Sequence, residues 1–571
     1  MRKYLLLFSA LLLVSCLKDR PGDTEFDSYK NSFIDAYWKL NPEAAVANGN
    51  HAYDSLLVVP NAESRAKMLE FVENQREKLQ DFDTNDLSTL NKIDCELLKN
   101  LLAQIEFSVK ELKSWQWNPA EYNACGQFSE ILTTVDAKNT KKINELAYRL
   151  QFVPEYYAAA RENLKQVTKE HLELAIAQND AAKSVFTTDL PELFKNSTLS
   201  KNQKDKYLKA CEAAEEAVTS YVQFLESKRN GPFRSFRLGT DLYAKKFDLE
   251  INSTFSSKEI YERALKHKDS LHARMYNLAK ELWPKYMKNE VMPTDELLVI
   301  RKVIDVLSLD HVKPQEFQSA IEKQIPELER FVREKQLIYI DSTKPLVVRK
   351  EPAYMAGVAG ASISSPGPYD IEGNTYYNVG SLSGWDAARA ESYLREYNNY
   401  TLQILNIHEA IPGHYAQLVY SNQSKSLVKS LFGNGAMIEG WAVYTELMML
   451  ENGYKATPEM WLMYYKWNLR STCNTIIDVG IHTKNWSENQ VIDLLTREAF
   501  QQTAEAEGKW KRATLSQVQL CSYYTGFSDI VELRAAYRKK MGNKFNLKQF
   551  HEQFLSYGSA PVPLIRAAML E

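Results

Sequence analysis

Residues 408–415 read HEAIPGHY, and the fold class turns on how this stretch is read. Two histidines four apart on a helix, with a glutamate beside the first, are the signature of zinc proteases. Here the second histidine, His414, comes six residues after His408, with Pro412 and Gly413 between them. In a straight helix six residues turn through roughly 600° and rise roughly 9 Å, which leaves the side chains about 120° apart. Two imidazoles so placed cannot share a zinc ion that needs contacts of about 2.0–2.1 Å. The helix must therefore be irregular between them. Proline removes a helical hydrogen bond and clashes with the preceding turn, and glycine frees the backbone. A two-residue bulge at this point brings His414 to where a histidine four residues on would lie. Tyr415 shares the face of His408 in an unbroken helix, but tyrosine is a rare metal ligand.

Working outward, the segment GAMIEGWAVYTELMML starts a helix after a polar loop, and Glu439 follows His414 by 25 residues. That separation lets a second helix fold back on the first. His408, His414 and Glu439 with one open position would make a His, His, Glu catalytic zinc set. Glu409 would then be the general base. Taken alone, Glu439 reads better as a solvent-exposed helix-start carboxylate favoured by the dipole; with HEAIPGH upstream, the metal-ligand reading leads. Glu446, seven residues on, shares its face.

Just before HEAIPGH, residues 337–380 change texture. LIYIDSTKPLVVRKEP is β-branched, and the following stretch is rich in Gly, Ser and Pro. Two or three short strands and a loop are expected. Such strands either bind substrate backbone by strand addition, with Tyr377 and Asn378 as contacts, or form a hairpin that merely links two helical lobes. The rest is helical in pattern. Apolar positions recur at helical spacing over 24–40, 63–82, 90–113, 141–184, 200–228, 257–287 and 313–336. After the strands, helices are expected over 386–411, 435–452, 458–475, 488–504, 526–541 and 546–556. The expected architecture is mainly α: a helical lobe at 27–336, and a metal-site lobe at 337–571 with the short strands beside the metal helix.

The chain opens MRKYLLLFSALLLVSC, with two basic residues before an apolar run too short to span a bilayer. This predicts an export signal over 1–15. LVSC resembles a bacterial lipobox, which would make Cys16 the lipidated first mature residue, with a polar tether at 16–26. The alternative is an ordinary cleavable signal. The chain is thus expected to be exported and lipid-anchored to the bacterial outer membrane, touching the membrane through that lipid only. Net charge is −3, from 70 basic and 73 acidic residues that are well interspersed, so no nucleic-acid partner is expected. Gly (21) and Pro (19) are scarce, which favours helix. Beyond Cys16 the five cysteines are scattered, without a CxxC pair, and read mostly as small buried apolar residues.

REYNNYTLQILNIHEAIPGHY, EGWAVYTELM, DVGIHTKNWS, CSYYTGFSDIVELR and KFNLKQFHEQFLSYGSAPVPLI together resemble the DUF885 family of bacterial proteins. The resemblance is strongest from about 340 to 571. It implies a helical metallohydrolase with a deep cleft, similar to gluzincin and carboxypeptidase Taq peptidases. By the resemblance His408, His414 and Glu439 match the metal ligands and Glu409 the base. Tyr523 matches a family tyrosine suited to hydrogen-bonding a developing oxyanion, and His482 matches a family histidine that could do the same. Asp478 lies four residues before His482, within hydrogen-bonding reach on one helix face, and Arg470 lies twelve before it as a possible substrate contact. Tyr523 reads otherwise as a buried tyrosine and His482 as a capping histidine. Family members usually carry a histidine where Tyr415 stands, and Pro-Gly ahead of the SY segment.

The expected function is that of a zinc peptidase acting on short peptides. Ester hydrolysis by the same apparatus is the first alternative. A non-catalytic helical ligand-binding outer-membrane lipoprotein is the second.

Overall fold

The computed structural model describes residues 20–351, 361–370 and 373–571. The expected signal and Cys16 lie outside the described residues. Those that are described form a mainly helical protein with one small three-stranded sheet.

Two apolar cores organise the helices. The smaller belongs to residues from Val46 to Leu225, chiefly the helices between Ala124–Leu132 and Lys201–Ser227. The larger combines the first helices, such as Asp23–Leu40 and Thr89–Phe107, with almost everything after Phe236. The cores therefore do not divide at residue 336. The long helix Ser257–Tyr286 lies in the expected first lobe, yet it packs along Pro458–Lys484 of the expected second.

Several helices differ in extent from the periodicity. The stretch 141–184 is three main helices, Thr140–Leu150, Val153–Asn163 and Lys169–Ala181. Pro154 stands in the first turn of the middle one, where its missing N–H costs nothing. The segment 386–411 is two helices, Ala387–Glu396 and Asn399–Glu409. The side chain of Asn398 caps the second by accepting from the amides of Tyr400 and Thr401.

The sheet comprises β1 (Leu346–Lys350), β2 (Ala361–Ser364) and β3 (Thr375–Val379), in the order β1-β3-β2. β3 pairs parallel with β1 and antiparallel with β2. The central strand is therefore the one carrying Tyr377 and Asn378. Both are fully buried, and neither is offered to a substrate strand. Tyr377 donates to Asn406 Oδ1 at 2.8 Å and so braces the Asn399–Glu409 helix from below. Asn378 accepts from Arg349 Nε at 2.7 Å and donates to Ser364 Oγ at 2.7 Å, tying the three strands together. The expectation that these two side chains bind substrate is corrected here. The strands β1 and β2 form the edges of the sheet.

Candidate metal centre

The backbone breaks at HEAIPGH more sharply than a bulge. One helix ends at Glu409 and another, His414–Asn422, begins at the second histidine. Residues 410–413 form a tight corner in which the amide of Gly413 donates to Ile407 O at 3.0 Å. A Cβ on Gly413 would lie 1.9 Å from His408 O and 2.4 Å from Ile407 O, so only glycine fits. The indole of Trp441 donates to Pro412 O at 2.9 Å and ties the corner to the next helix. The corner lets residues six apart in sequence bring their rings together. The two imidazole centroids are 4.7 Å apart and nearly perpendicular.

Glu439 arrives from the helix Gly435–Glu451, which is buried along most of its length. Its position depends on glycine as well. Gly440 meets Gly526 of the helix Ser522–Met541 so closely that a Cβ on Gly440 would be 2.3 Å from Gly526 C. A Cβ on Gly526 would be 1.7 Å from Ala436 O. This crossing carries Glu439 and Tyr523 to one place. Both glycines are visible in the sequence, in EGWA and SYYTG, but nothing in those motifs shows that they meet.

His408, His414 and Glu439 each offer one ligand atom, and these atoms lie within 4.8 Å of one another. Glu439 Oε2 is 3.4 Å from His414 Nε2 and 3.7 Å from His408 Nε2. Ligands about 2.0–2.1 Å from a tetrahedral zinc stand roughly 3.4 Å apart, so the spacing suits such an ion. Glu439 Oε2 is buried and has no hydrogen-bond partner among the described residues, although buried carboxylate oxygens are ordinarily satisfied. This donor set fits a divalent metal that accepts nitrogen and oxygen ligands.

Behind His408 stands Glu446. Its Oε1 lies 2.7 Å from His408 Nδ1 and also accepts from the indole of Trp467 at 3.0 Å. A carboxylate on the far nitrogen of a ligating histidine fixes the ring and leaves Nε2 as the ligand atom. The sequence placed Glu446 on the face of Glu439 but gave it no role. Burial pulls the His408 imidazolium down, but the carboxylates of Glu439 and Glu446 outweigh it and raise its pKa to about 10. Burial likewise opposes charge on Glu439, and the two imidazoles overcome it, holding Glu439 below the usual carboxylate range. Glu409 is pushed up by burial, against the pull of both imidazoles.

Tyr523 stacks near His408, with ring centroids 6.5 Å apart and planes 17° from parallel. Its hydroxyl accepts from Arg512 Nη2 at 3.1 Å. Burial, reinforced by Glu439, raises its pKa to about 12, so it is a protonated donor at neutral pH. No motif in the sequence marks Arg512, which meets Tyr523 from the neighbouring helix.

His482 is not brought to the cluster. It is buried, and its Nε2 lies 3.0 Å from Ala513 O and 3.1 Å from Ser516 O. Asp478 does not bond to it. The Asp478 carboxylate instead accepts from Tyr243 Oη at 2.9 Å and from the amides of Val518 and Leu520 at 3.1 and 3.2 Å. The two residues grip the turn between the helices that carry Arg512 and Tyr523. Val518, a β-branched residue, sits in that turn at φ 71°, a conformation that persists only where the surroundings impose it. The expected oxyanion role for His482 therefore gives way to a structural one. Arg470 is half-buried, 2.5 Å from Glu505 Oε1, with its guanidinium 4.9 Å from the Trp467 ring. Tyr415 donates its hydroxyl to Lys344 O.

Two cavities lie away from the cluster. One, of about 610 Å³, lies beside Trp115, Tyr122 and Tyr156. The other, of about 520 Å³, lies beyond β3 near Trp385. No described helix is long and apolar enough to cross a membrane.

Residues 42–569 match the model of a family described as bacterial protein of unknown function, DUF885. The chain is also similar to the solved structure of "a putative lipoprotein of unknown function" from Shewanella oneidensis. The two are 50% identical with a TM-score of 0.88, over 96% of this chain and 100% of that one. A "putative lipoprotein" from Colwellia psychrerythraea is 16% identical with a TM-score of 0.77, over 95% and 98%, and shares the fold. No curated protein matches the chain. The match runs through the histidine corner, the glycine crossing and the tyrosine helix alike, and the chain belongs to the DUF885 family.

Proposed function

We propose that the protein is a metal-dependent hydrolase, a gluzincin-like zinc peptidase acting on short peptides, with His408, His414 and Glu439 holding the ion. The observation that carries this reading is the convergence of three ligand atoms within 4.8 Å, with Glu446 fixing the first imidazole from behind. A zinc ion bound there would polarise a carbonyl and make a water acidic enough to attack it near neutral pH. Glu409 takes the proton from that water and passes it to the leaving amine. Tyr523 donates its hydroxyl hydrogen to the carbonyl oxygen as charge grows on it. Arg512, by donating to that hydroxyl, occupies an oxygen lone pair and turns the hydrogen away from itself, toward the Glu439 side of the site. The same groups would hydrolyse an ester. Lipid attachment at Cys16 and residence on the outer membrane complete the proposal, in keeping with the lipoprotein description of both structural neighbours.

The test is a pair of measurements on purified protein. Elemental analysis should find one zinc per chain. Glu409→Gln should keep that zinc and lose at least about 100-fold in hydrolysis, the usual scale for general-base removal. Full hydrolysis by this variant would refute the role of Glu409, and a clean absence of metal after gentle purification would refute the centre.

A further inference from the structure

Beside the proposed centre, cations outnumber carboxylates. Lys509, on the helix Thr503–Leu515, is 5% exposed, and its ammonium donates to Asn474 Oδ1 at 2.8 Å. No described carboxylate forms an ion pair with it, whereas its buried neighbour Lys466 is paired with Glu396 at 2.7 Å. Arg470 and Arg512 lie within electrostatic reach of Lys509, and the carboxylate of Glu505 is shared among these three and Lys466. With Lys509 protonated, the four positive charges of Lys466, Arg470, Lys509 and Arg512 face the two negative charges of Glu396 and Glu505. Buried charges are ordinarily paired, and an unpaired one costs heavily. Burial, with Arg470 beside it, accordingly pulls the Lys509 ammonium well below the pKa of a free lysine. An added anion would restore it.

This cluster borders the metal centre on two sides. The Arg470 guanidinium lies over Trp467, whose indole donates to Glu446 behind His408. Arg512 donates to the hydroxyl of Tyr523, whose ring lies along His408. Arg512 is exposed, Arg470 and Glu505 are half-buried and Lys509 is buried, so the charges run inward from solvent. Planar guanidinium groups match a carboxylate in shape and charge.

We propose that Arg470, Lys509 and Arg512 form a carboxylate-binding subsite, so that the preferred substrates carry a free carboxylate next to the bond that is cleaved. This rests on the hydrolase reading above. That carboxylate is either the C-terminus of a peptide or an acidic side chain.

The experiment measures binding to the zinc-loaded Glu409→Gln protein by calorimetry. The probes are N-acetyl-Ala-Ala-Phe as free acid, the same peptide as C-terminal amide, and an amide with one glutamate in place of alanine. The acid should bind at least about tenfold more tightly than the plain amide, the scale of one charged hydrogen bond. Lys509→Met, and separately the exposed Arg512→Gln, should bring the two to within about threefold on the same scale. Tight binding of the glutamate amide would assign the subsite to an acidic side chain, and weak binding would assign it to the C-terminus. Equal binding of acid and plain amide, or no binding of any probe at millimolar concentration, would overturn the proposal. Turnover by the unmutated protein separates the two ideas. Hydrolysis without acid preference leaves the hydrolase and removes the subsite, while acid-selective binding without hydrolysis does the reverse.

Discussion

Two helices of equal length show how differently this chain uses its backbone. Lys201–Ser227 and Pro458–Lys484 each span 27 residues. The first buries six residues, from Cys211 to Leu225, all on one apolar stripe. The second buries 21, among them Lys466, Asn468, Thr472, Asn474, Asp478 and His482. A surface helix needs only an apolar face to be stable. A helix surrounded by protein must pair most of the polar side chains it carries, and this one pairs many of its own by holding its neighbours, with Asn468 Nδ2, Thr475 Oγ1 and His482 Nδ1 left without a partner among the described residues. Trp467 holds Glu446, Lys466 holds Glu396, Asn474 holds Lys509, and Asp478 holds the turn before Tyr523. Stability in the first helix rests chiefly on its apolar face, with a few hydrogen bonds such as Tyr221 Oη to Pro119 O, whereas in the second it is inseparable from the placement of the site.

The sharpest way to break this contrast is to remove a ligand. Glu439→Ala or His414→Ala should reduce bound zinc from one per chain to less than about a tenth at micromolar metal, since three protein ligands are the minimum for a catalytic zinc site. Elemental analysis after dialysis against free zinc reads the result. Retention of full zinc by both variants would remove the centre.

The next effect acts through the neighbour of a ligand. Glu446→Gln keeps the shape and removes the charge behind His408, and should weaken zinc binding by about 10–100-fold. It should also change the pH response. In the metal-free protein the carboxylates of Glu439 and Glu446 hold His408 protonated up to a pKa of about 10. Zinc must expel that proton, so affinity should rise with pH, by about tenfold per unit through the neutral range. The same shift stabilises the metal-free fold. A raised imidazole pKa contributes fully below the unfolded value near 6.5, and that contribution is lost as pH rises through about 10. Calorimetry in two buffers of different protonation enthalpy should show close to one proton released per zinc at His408. In Glu446→Gln the release at neutral pH should be smaller.

How much of this was legible follows the same division. The spacing of His408 and His414 across Pro-Gly required a broken helix, and the break is there. It takes the form of a corner between two helices, because Gly413 packs its backbone against His408 O where a bulge would have kept one axis. Glu439 was reachable from its sequence distance and its neighbours in EGWA. Trp467 and Arg512 were not, since each meets the site through a contact 21 and 11 residues away in sequence, respectively, that only the assembled fold creates. Asp478 and His482 misled for the opposite reason. Their spacing of four suggested a hydrogen-bonded pair, but unmet backbone groups of the 513–520 turn drew each of them elsewhere. The long helix was expected to end near 475. It continues to Lys484 because the residues that follow are buried with partners.

The smallest effect on the site should come from the first helix. Leu225 is fully buried in the smaller core, and Leu225→Ala should cost about 2–5 kcal/mol of stability through lost burial and the cavity left behind. Lys209, on the exposed side of the same helix, should tolerate alanine to within about 0.5 kcal/mol. Neither change should alter zinc content or affinity at a temperature where the variant is folded, because none of the metal-site residues belongs to that core. Denaturant unfolding read alongside zinc binding checks both halves. If Leu225→Ala were to weaken zinc binding by more than about tenfold while the protein stayed folded, the two cores would be coupled. The independence argued from their separate packing would then fail.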